Sequence, residues 1–447
     1  MPQTLSRRAL IKAAPAALAT PALLHAPWVH AAGPTVRIGY VSPQTGPLAA
    51  FAEPDKFTIE QFRKATAGGI LIGGTRHTVE LIVKDSQSNP NKAGSAAADL
   101  ILRDKVDLVI ASATPATCNP VADQCELNGT PCITNDAPWQ PYFFGRKGDP
   151  KTGFAWTAHF FWGLEDVVGG FTSLWGQAGG ARTVGALWPN DEDGNAWGDA
   201  KMGFPPALRA KGFKLVDRGR FQSPINDFST FIREFKQQGV EIVTGVVPPP
   251  DFANFWNQAG QQGFQPKVVT VAKATEFPAA VAAFGDRAEG LTVELMWSPG
   301  FPYTSTMSGL SSQKLAEAYT AATGRPWIVT LGFKQALFEV AIDVLRRSAE
   351  RSPQAIRQAL FTTKLTTTVG PVDFRTGPVP GISKTPLVVG QWKKRGKAMD
   401  LLIVDNATVR SPSPTTSRSR CVRARPSASS GPTARGPTAR ARPRCST

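Results

Sequence analysis

The sequence has few of the groups that enzymes use for acid–base or metal chemistry. Between residues 33 and 410 it contains only two histidines, His77 and His159, and no recognisable nucleophile lies beside either of them. It has no G-x-S-x-G, Walker A, H-E-x-x-H or G-x-G-x-x-G motif. The acidic stretch Asn190–Asn195 lacks the first and last carboxylates of an EF-hand calcium loop. The sequence therefore indicates no catalytic residue, no metal site and no cofactor.

Cysteine is also sparse, and its spacing does not suit a metal. Cys118, Cys125 and Cys132 recur at intervals of seven, which is not a metal-ligand pattern. An oxidising compartment would permit a disulfide between Cys118 and Cys132. Burial as small apolar side chains is the alternative, and the sequence alone leaves both open.

Apolar runs long enough to cross a membrane are missing. The apolar run Ala13–Leu24 is interrupted by proline and is shorter than the roughly 20 residues that a spanning helix needs. It follows the pair Arg7-Arg8 and precedes two alanines that offer a cleavage site. This pattern resembles a twin-arginine bacterial signal peptide over residues 1–32, with an amphipathic first helix as the alternative. We therefore expect export to the periplasm.

The net charge of +16 is concentrated at the two ends of the chain. Residues 1–32 contribute +3 and residues 411–447 contribute +8, which leaves +5 for residues 33–410. A charge of this size gives the body of the protein no electrostatic basis for binding nucleic acid.

The C-terminal segment 411–447 differs in composition from the rest. It consists mainly of Arg, Ser, Pro, Thr, Ala and Gly, so it cannot bury enough apolar surface to fold, and we expect disorder. One hypothesis is a basic arm for nucleic acid or anionic lipid. The other is an abnormal C-terminus, such as translation of a GC-rich gene in a shifted frame.

Apolar runs alternate with helical patterns in the first third of the chain. The predicted strands are Val36–Val41, Val79–Lys84, Val106–Ala111 and Pro131–Thr134. Short, continuous apolar strands that alternate with helices predict a parallel, doubly wound α/β sheet. Ligands bind at the carboxyl ends of such strands. Those ends are Ser42–Phe51, Asp85–Asn91, Ser112–Asn119 and Asn135–Trp139.

A second series of the same kind follows a crossover rich in aromatic residues at 140–165. Its predicted strands are Thr183–Trp188, Phe213–Val216, Glu241–Val247 and Lys267–Val271. The loops at its strand ends are Pro189–Asn195, Pro248–Pro250 and Ala272–Phe277. Two series of comparable length predict two lobes that face each other. The later strand Glu289–Trp297 is expected to return to the first lobe.

Several motifs in this order resemble a known family. They are the strand and turn Val36–Pro47, the segment Asp85–Ala93, the segment Ser112–Pro120 and the segment Asn226–Ser229. Over residues 35–400 the chain is similar to the type I periplasmic substrate-binding proteins of ABC transporters, in the branched-chain amino acid group. The resemblance implies two α/β lobes that are joined by three hinge crossings and close on a ligand.

The resemblance also implies domain boundaries. We expect a first lobe formed by residues 33–154 and about 283–350. The second lobe would comprise residues 155–282 and about 351–410. Residues 411–447 remain outside both lobes.

The candidate ligand-binding residues come from the resemblance and from the residues at the strand ends. The resemblance implies Phe51, Thr114, Thr117, Asn135, Asp136, Trp197 and Pro250. The strand ends and turns add Trp139, Trp188, Asn195 and Lys273. The tryptophans offer flat surfaces for stacking, and packing near the hinge is the alternative for them.

Lys273 departs from the pattern of the family. The amino-acid binders place a carboxylate in the loop that corresponds to Ala272–Phe277, where it pairs with the ammonium of the ligand. In this sequence Lys273 lies near that position, with Glu276 slightly beyond. A cation there would favour an anionic group on the ligand. An organic or aromatic carboxylate is therefore a candidate ligand as well as an amino acid.

Three functional hypotheses remain. The first is a periplasmic solute-binding protein that delivers a small carboxylate-bearing ligand to a membrane permease, with no cofactor and no nucleic acid. The second is an exported enzyme on the same scaffold. The third is a ligand sensor that acts on a partner protein. Neighbouring permease genes would favour transport, whereas turnover of a bound compound would favour an enzyme.

Overall fold

The computed structural model describes residues 34–396 and 398–405. The predicted signal peptide 1–32 and the C-terminal segment 411–447 therefore lie outside the described residues. The strands are β1 (Thr35–Ser42), β2 (Ile70–Ile72), β3 (Thr75–Asp85), β4 (Leu108–Ser112), β5 (Cys132–Asn135), β6 (Thr157–Phe160), β7 (Thr183–Pro189), β8 (Lys214–Phe221), β9 (Ile242–Val246), β10 (Val268–Ala272), β11 (Thr292–Leu295), β12 (Lys364–Thr367), β13 (Gly370–Asp373), β14 (Ile382–Ser383), β15 (Val388–Arg395) and β16 (Ala398–Asp405).

The helices alternate with these strands. They are α1 (Asp55–Thr66), α2 (Pro90–Leu102), α3 (Pro115–Asn128), α4 (Trp139–Phe143), α5 (Leu164–Gly176), α6 (Glu192–Trp197), α7 (Phe204–Ala210), α8 (Ser229–Gln237), α9 (Pro249–Gln261), α10 (Pro278–Ala282), α11 (Ser312–Thr323), α12 (Thr330–Arg347) and α13 (Pro353–Phe361), with 3-10 turns at Ala49–Ala52 and Gly285–Ala288. Within the described ranges, no helix combines the length and hydropathy needed to cross a membrane.

Two seven-stranded sheets organise the described chain. The first has the order β14-β6-β5-β4-β1-β3-β2, and the second has the order β16-β15-β11-β10-β9-β7-β8. The central strands of both sheets pair in parallel. Two doubly wound lobes were expected from the sequence, and the topology confirms this fold class.

The central strands are apolar because helices cover both faces of each sheet. β4 and β9 are buried along their whole length, which is typical of parallel sheets. Some of the helices that follow begin at a capping side chain. At α2, the Asn89 side chain accepts a hydrogen bond from Lys92 N at 3.1 Å, and Pro90 occupies the first turn. This cap fixes where the loop after β3 stops.

The described part of the chain passes between the lobes at three places. Residues 161–163 link β6 to α5, residues 296–311 link β11 to α11, and residues 384–387 link β14 to β15. The three crossings confirm the hinge that the family resemblance implied.

Three segments differ from their expected positions. The strand predicted at 289–297 was expected in the first lobe, and this was wrong: β11 pairs in parallel with β10 and antiparallel with β15 in the second sheet. β6 and β14 lie in the ranges expected for the second lobe, but β6 extends the first sheet beside β5, and β14 pairs with β6. Strand composition indicates burial rather than the identity of the neighbouring strand, so the sequence did not specify these pairings.

Candidate functional site: the cleft between the lobes

The carboxyl ends of the two sheets face each other across a cleft. Its walls come from the first lobe, the hinge and the second lobe, namely Phe51, Thr114, Asp136, Pro138, Phe161, Trp162, Asp193, Trp197, Val246, Lys273, Glu276, Glu294 and Met296. The cavity between these side chains has a volume of about 20 Å³, which is the space of roughly one water molecule. The two lobes are therefore closed on each other. A larger groove of about 820 Å³ lies elsewhere, between α11 and the β15–β16 hairpin, and shares Glu276 with the cleft.

Phe51 closes one side of the cleft. It lies on the 3-10 turn Ala49–Ala52 and packs edge-on against Phe277 of the second lobe, with 4.9 Å between ring centroids. The loop that carries it is tied down by Asp85, whose carboxylate accepts hydrogen bonds from Gln44 N at 2.9 Å and from Thr45 Oγ1 at 2.6 Å. Partial burial raises the pKa of Asp85, but the hydrogen bonds together outweigh it, so the pKa lies below its ordinary value. The carboxylate thus fixes the position of the Phe51 loop.

Replacing Asp85 by alanine should lower the free energy of unfolding by about 1–2 kcal/mol, because several partly solvent-screened hydrogen bonds to a carboxylate are lost. Chemical denaturation measures this effect. Asp99→Ala is the matched control, since its ion pair with Arg103 is exposed at 3.6 Å and should contribute less than about 0.5 kcal/mol. Equal losses in the two variants would contradict a structural role for Asp85.

Thr114 and Thr117 differ in their surroundings. Thr114 precedes the first turn of α3, lines the cavity and makes no capping bond with its side chain. The Thr117 hydroxyl lies 3.0 Å from Ser86 Oγ inside the first lobe. Only Thr114 therefore faces the cleft.

Asn135 and Asp136 follow the same division. Asn135 is buried in the first lobe, where its Nδ2 donates to Phe333 O at 2.8 Å. Asp136 lines the cavity and has a φ of 63°, a left-handed conformation that is uncommon outside glycine. Burial is the main cause that raises the pKa of Asp136 to about 7, and Lys334 opposes it.

Lys273 occupies the corresponding position at the end of β10, also with a φ of 63°. Its Nζ lies 2.6 Å from Asp193 Oδ2 and 3.9 Å from Asp191 Oδ2. Burial alone would lower the pKa of Lys273, but Asp193 and Asp191 raise it above its ordinary value. The ammonium is therefore paired within its own lobe. The argument that it attracts an anionic ligand loses its basis.

Glu276 and Glu294 lie beside Lys273 and are both almost fully buried. Their Oε1 atoms accept hydrogen bonds from the same Lys273 N, at 3.1 and 3.2 Å. Because both Oε1 atoms accept from the same N–H, the two carboxyl groups are neighbours, and their mutual repulsion disfavours ionisation of both at once. Burial raises the pKa of Glu294 to about 7 and also raises that of Glu276.

These raised pKa values make stability depend on pH. The unfolded chain releases such protons near pH 4, so between about pH 4 and pH 7 the folded protein holds protons that the unfolded chain lacks. The free energy of unfolding should therefore fall as pH rises through this window, by up to about 1.4 kcal/mol per pH unit for each group. Melting temperatures between pH 5 and pH 8 test this expectation. Glu294→Gln should flatten the profile, and stability rising with pH in both proteins would contradict it.

The remaining predicted side chains do not line the cavity. Trp188 is fully buried against Phe204, with ring centroids 5.6 Å apart. Trp139 donates from Nε1 to Glu165 at 3.3 Å. Asn195 and Pro250 are exposed. Of the predicted site residues, those that line the cavity are Phe51, Thr114, Asp136, Trp197 and Lys273.

The histidines and cysteines belong to the packing. His159 Nε2 lies 2.8 Å from Ala137 O, and the ring stacks on Tyr142 at 4.1 Å. Burial lowers the pKa of His159 to about 3, so the ring is neutral at physiological pH. All three cysteines of the described chain are buried and free. Across residues 34–396 and 398–405, no group of acidic, histidine or cysteine side chains could hold a metal ion.

Known proteins show the same architecture. A family model described as periplasmic binding protein matches residues 35–397. The leucine-binding protein LivK of Thermotoga maritima is 19% identical, with a TM-score of 0.67 and coverage of 83% of this chain and 99% of that one. A solute-binding protein of an ABC transporter from Rhodopseudomonas palustris was solved in complex with 3,4-dihydroxybenzoic acid. It is 19% identical, with a TM-score of 0.65 and coverage of 85% of this chain and 99% of that one.

A third solved structure extends the range of ligands among these neighbours. The branched-chain amino acid binding protein LivJ of Streptococcus pneumoniae, in complex with isoleucine, is 16% identical, with a TM-score of 0.63 and coverage of 83% and 99%. At these identities the structures establish the fold, and the family match covers most of the chain. The chain therefore belongs to the periplasmic binding protein family and has its type I, two-lobed fold.

Proposed function

We propose that the protein is the extracytoplasmic solute-binding component of an ABC importer and captures a small ligand in the cleft. One observation carries this proposal. The residues that line the cavity from both lobes include buried polar atoms that have no hydrogen-bond partner in the described chain. They are Asp136 Oδ2 from the first lobe, Trp162 Nε1 from the hinge, and Asp193 Oδ1, Trp197 Nε1, Glu276 Oε2 and Glu294 Oε2 from the second lobe.

Unpartnered polar atoms are costly in a folded protein. Each such atom costs about 1–3 kcal/mol when it is buried without a partner. A ligand that supplies the missing partners from inside the cleft would contact both lobes at once. It would therefore favour closure of the two lobes around it.

Among carboxylate-bearing ligands, the cleft favours an amino acid over an acid that lacks an amino group. A ligand carboxylate has donors at the indole N–H groups of Trp162 and Trp197 and at the hydroxyl of Thr114. An ammonium has acceptors at Glu276 and Asp136. An acid without an amino group would leave these acceptors unpaired, because the Lys273 ammonium is already paired with Asp193.

Delivery to the importer completes the proposed role. Residues 1–32 would direct the protein to the periplasm through a twin-arginine route, and the closed protein would dock on a membrane permease. Membership of a periplasmic binding protein family supports the location.

Thermal-shift measurements test the capture step. The full chain is screened against L-amino acids and against 4-hydroxybenzoate, and a compound at a hundredfold excess over its Kd should add about 2.7 kcal/mol of stability. Uptake of the positive compound is then compared in cells with and without the gene. Unchanged uptake would contradict the importer role and favour a sensor, and chemical conversion of the compound would indicate an enzyme.

A further inference from the structure

The charged side chains of the cleft are mostly acidic. Four carboxyl groups line the cavity, those of Asp136, Asp193, Glu276 and Glu294, together with one ammonium, that of Lys273. Lys273 is paired with Asp193 at 2.6 Å. With this pair subtracted, the cavity wall retains Asp136, Glu276 and Glu294 with no cation among the lining residues.

The cation behind the first lobe does not balance this excess. Lys334 on α12 is fully buried, and its Nζ lies 3.6 Å from Asp55 Oδ1 and 3.3 Å from Ser42 Oγ. Asp55 also accepts a hydrogen bond from Tyr40 at 2.8 Å. Lys334 therefore compensates Asp55, although it also lowers the pKa of the nearby Asp136.

The unpartnered atoms show the same imbalance. Two of those in the cavity wall are donors, the indole N–H groups of Trp162 and Trp197, whereas four are carboxyl oxygens, which act as acceptors once the protons favoured by burial have left. A complementary ligand must bring more donors than acceptors. A neutral α-amino acid has one ammonium and one carboxylate. It would satisfy the two indole donors but leave some of the carboxyl groups of the cavity wall without a partner.

Aromatic faces supply the second element of a cation site. Phe51, Phe161, Trp162 and Trp197 lie in the same cavity wall as the carboxyl groups. Aromatic faces attract ammonium and guanidinium groups, more strongly where water is excluded. Carboxylates together with aromatic walls are therefore suited to an organic cation.

We propose that the ligand is a small organic cation with a net positive charge, and that the Glu276–Glu294 carboxyl pair receives its second positive group. This inference rests on the solute-binding role and specifies its substrate class. The positive group replaces the proton that burial and the repulsion between the two carboxyl groups favour on this pair. Binding therefore releases a proton, and the affinity for the ligand increases as the pH rises.

The expected pH dependence follows from the groups around the pair. Two groups face the Glu276–Glu294 pair: Lys273, which follows β10, and Asp136, which follows β5. Asp191 and Asp193 face Lys273 from α6. Lys273 stays charged between pH 6 and pH 8, so the change in affinity in this window comes from the carboxyl groups.

The experiment compares matched ligands by calorimetric titration of the full chain at pH 6 and pH 8. L-Lysine and L-norleucine share a carbon skeleton and differ by the terminal ammonium. Putrescine carries two ammonium groups and no carboxylate, and 4-hydroxybenzoate carries a carboxylate and no ammonium. L-Lysine should bind at least tenfold more tightly than L-norleucine, with higher affinity at pH 8. Glu294→Gln should weaken lysine binding at least tenfold, whereas Glu60→Gln, on the exposed face of α1, should leave it unchanged.

The outcomes separate this inference from the solute-binding role. Norleucine binding as tightly as lysine, with Glu294→Gln unaffected, would overturn the cation assignment and leave solute binding intact. Binding of 4-hydroxybenzoate in preference to all three amines would do the same. No binding by any compound of the panel would overturn both. Putrescine binding more tightly than norleucine would support the cation assignment without a ligand carboxylate.

Discussion

Replacing Asp193 by alanine should lower the free energy of unfolding by about 3–5 kcal/mol. Asp193 Oδ2 lies 2.6 Å from Lys273 Nζ, and both side chains are more than nine-tenths buried. Removing one partner of a buried pair leaves an uncompensated charge, which is the costly part of the substitution. Chemical denaturation at pH 7.5 measures the loss.

The partner variants show whether the pair causes the loss. Asp191→Asn is the control, because asparagine keeps the N-cap of α6 that Asp191 forms with Gly194 N, and the charge it removes is 3.9 Å from Lys273 and about one-third exposed, so it should cost no more than about 1 kcal/mol. The double variant Asp193→Leu, Lys273→Met should recover most of the stability, since it removes both charges. A double variant as unstable as Asp193→Ala would contradict the pairing.

Trp197→Ala should also cost about 3–5 kcal/mol and abolish ligand binding. Trp197 is fully buried and stacks on Phe204 with 5.0 Å between ring centroids and an interplanar angle of 10°. It also contacts Trp188 at 6.2 Å and the hinge residue Trp162 at 6.4 Å. Removing a large aromatic side chain from such packing leaves a cavity. The ring therefore supports both the second lobe and the wall of the cleft.

A tryptophan outside this cluster provides the control. Trp156 is partly exposed, with the guanidinium of Arg357 5.6 Å from its ring centroid, and its replacement by alanine should cost about 1–2 kcal/mol. Thermal unfolding of the two variants gives the comparison. Similar losses of stability in Trp197→Ala and Trp156→Ala would contradict the role of Trp197 in the cleft. Ligand binding that is retained by Trp197→Ala would also contradict it.

The fold could be predicted because burial on both faces dictates continuous apolar strands. The runs at 36–41 and 106–111 became β1 and β4, and the loops that follow them carry Phe51 and Thr114 into the cleft. Position at a strand end follows from local sequence together with parallel topology. The same logic located the loop after β5, and the family resemblance singled out Asp136 within it.

The charges of the cleft were harder to predict, because charge pairing joins residues that are far apart in the chain. Lys273 and Asp193 are separated by 80 positions, and their contact depends on how α6 returns over the end of β10. Glu294 was missed entirely, because the strand around it was placed in the first lobe. A usable signal was present: Glu294 lies in a short apolar strand, where a buried carboxyl group requires a partner.

A titration of one ligand into two variants tests the central claim most directly. The compound with the largest thermal shift is titrated into wild type, Asp136→Asn of the first lobe and Glu276→Gln of the second lobe. A ligand held between the lobes should bind one per chain, and each substitution should weaken it about tenfold, or about 1.4 kcal/mol. Binding that is lost in one variant and unchanged in the other would place the ligand on a single lobe and contradict capture in the cleft.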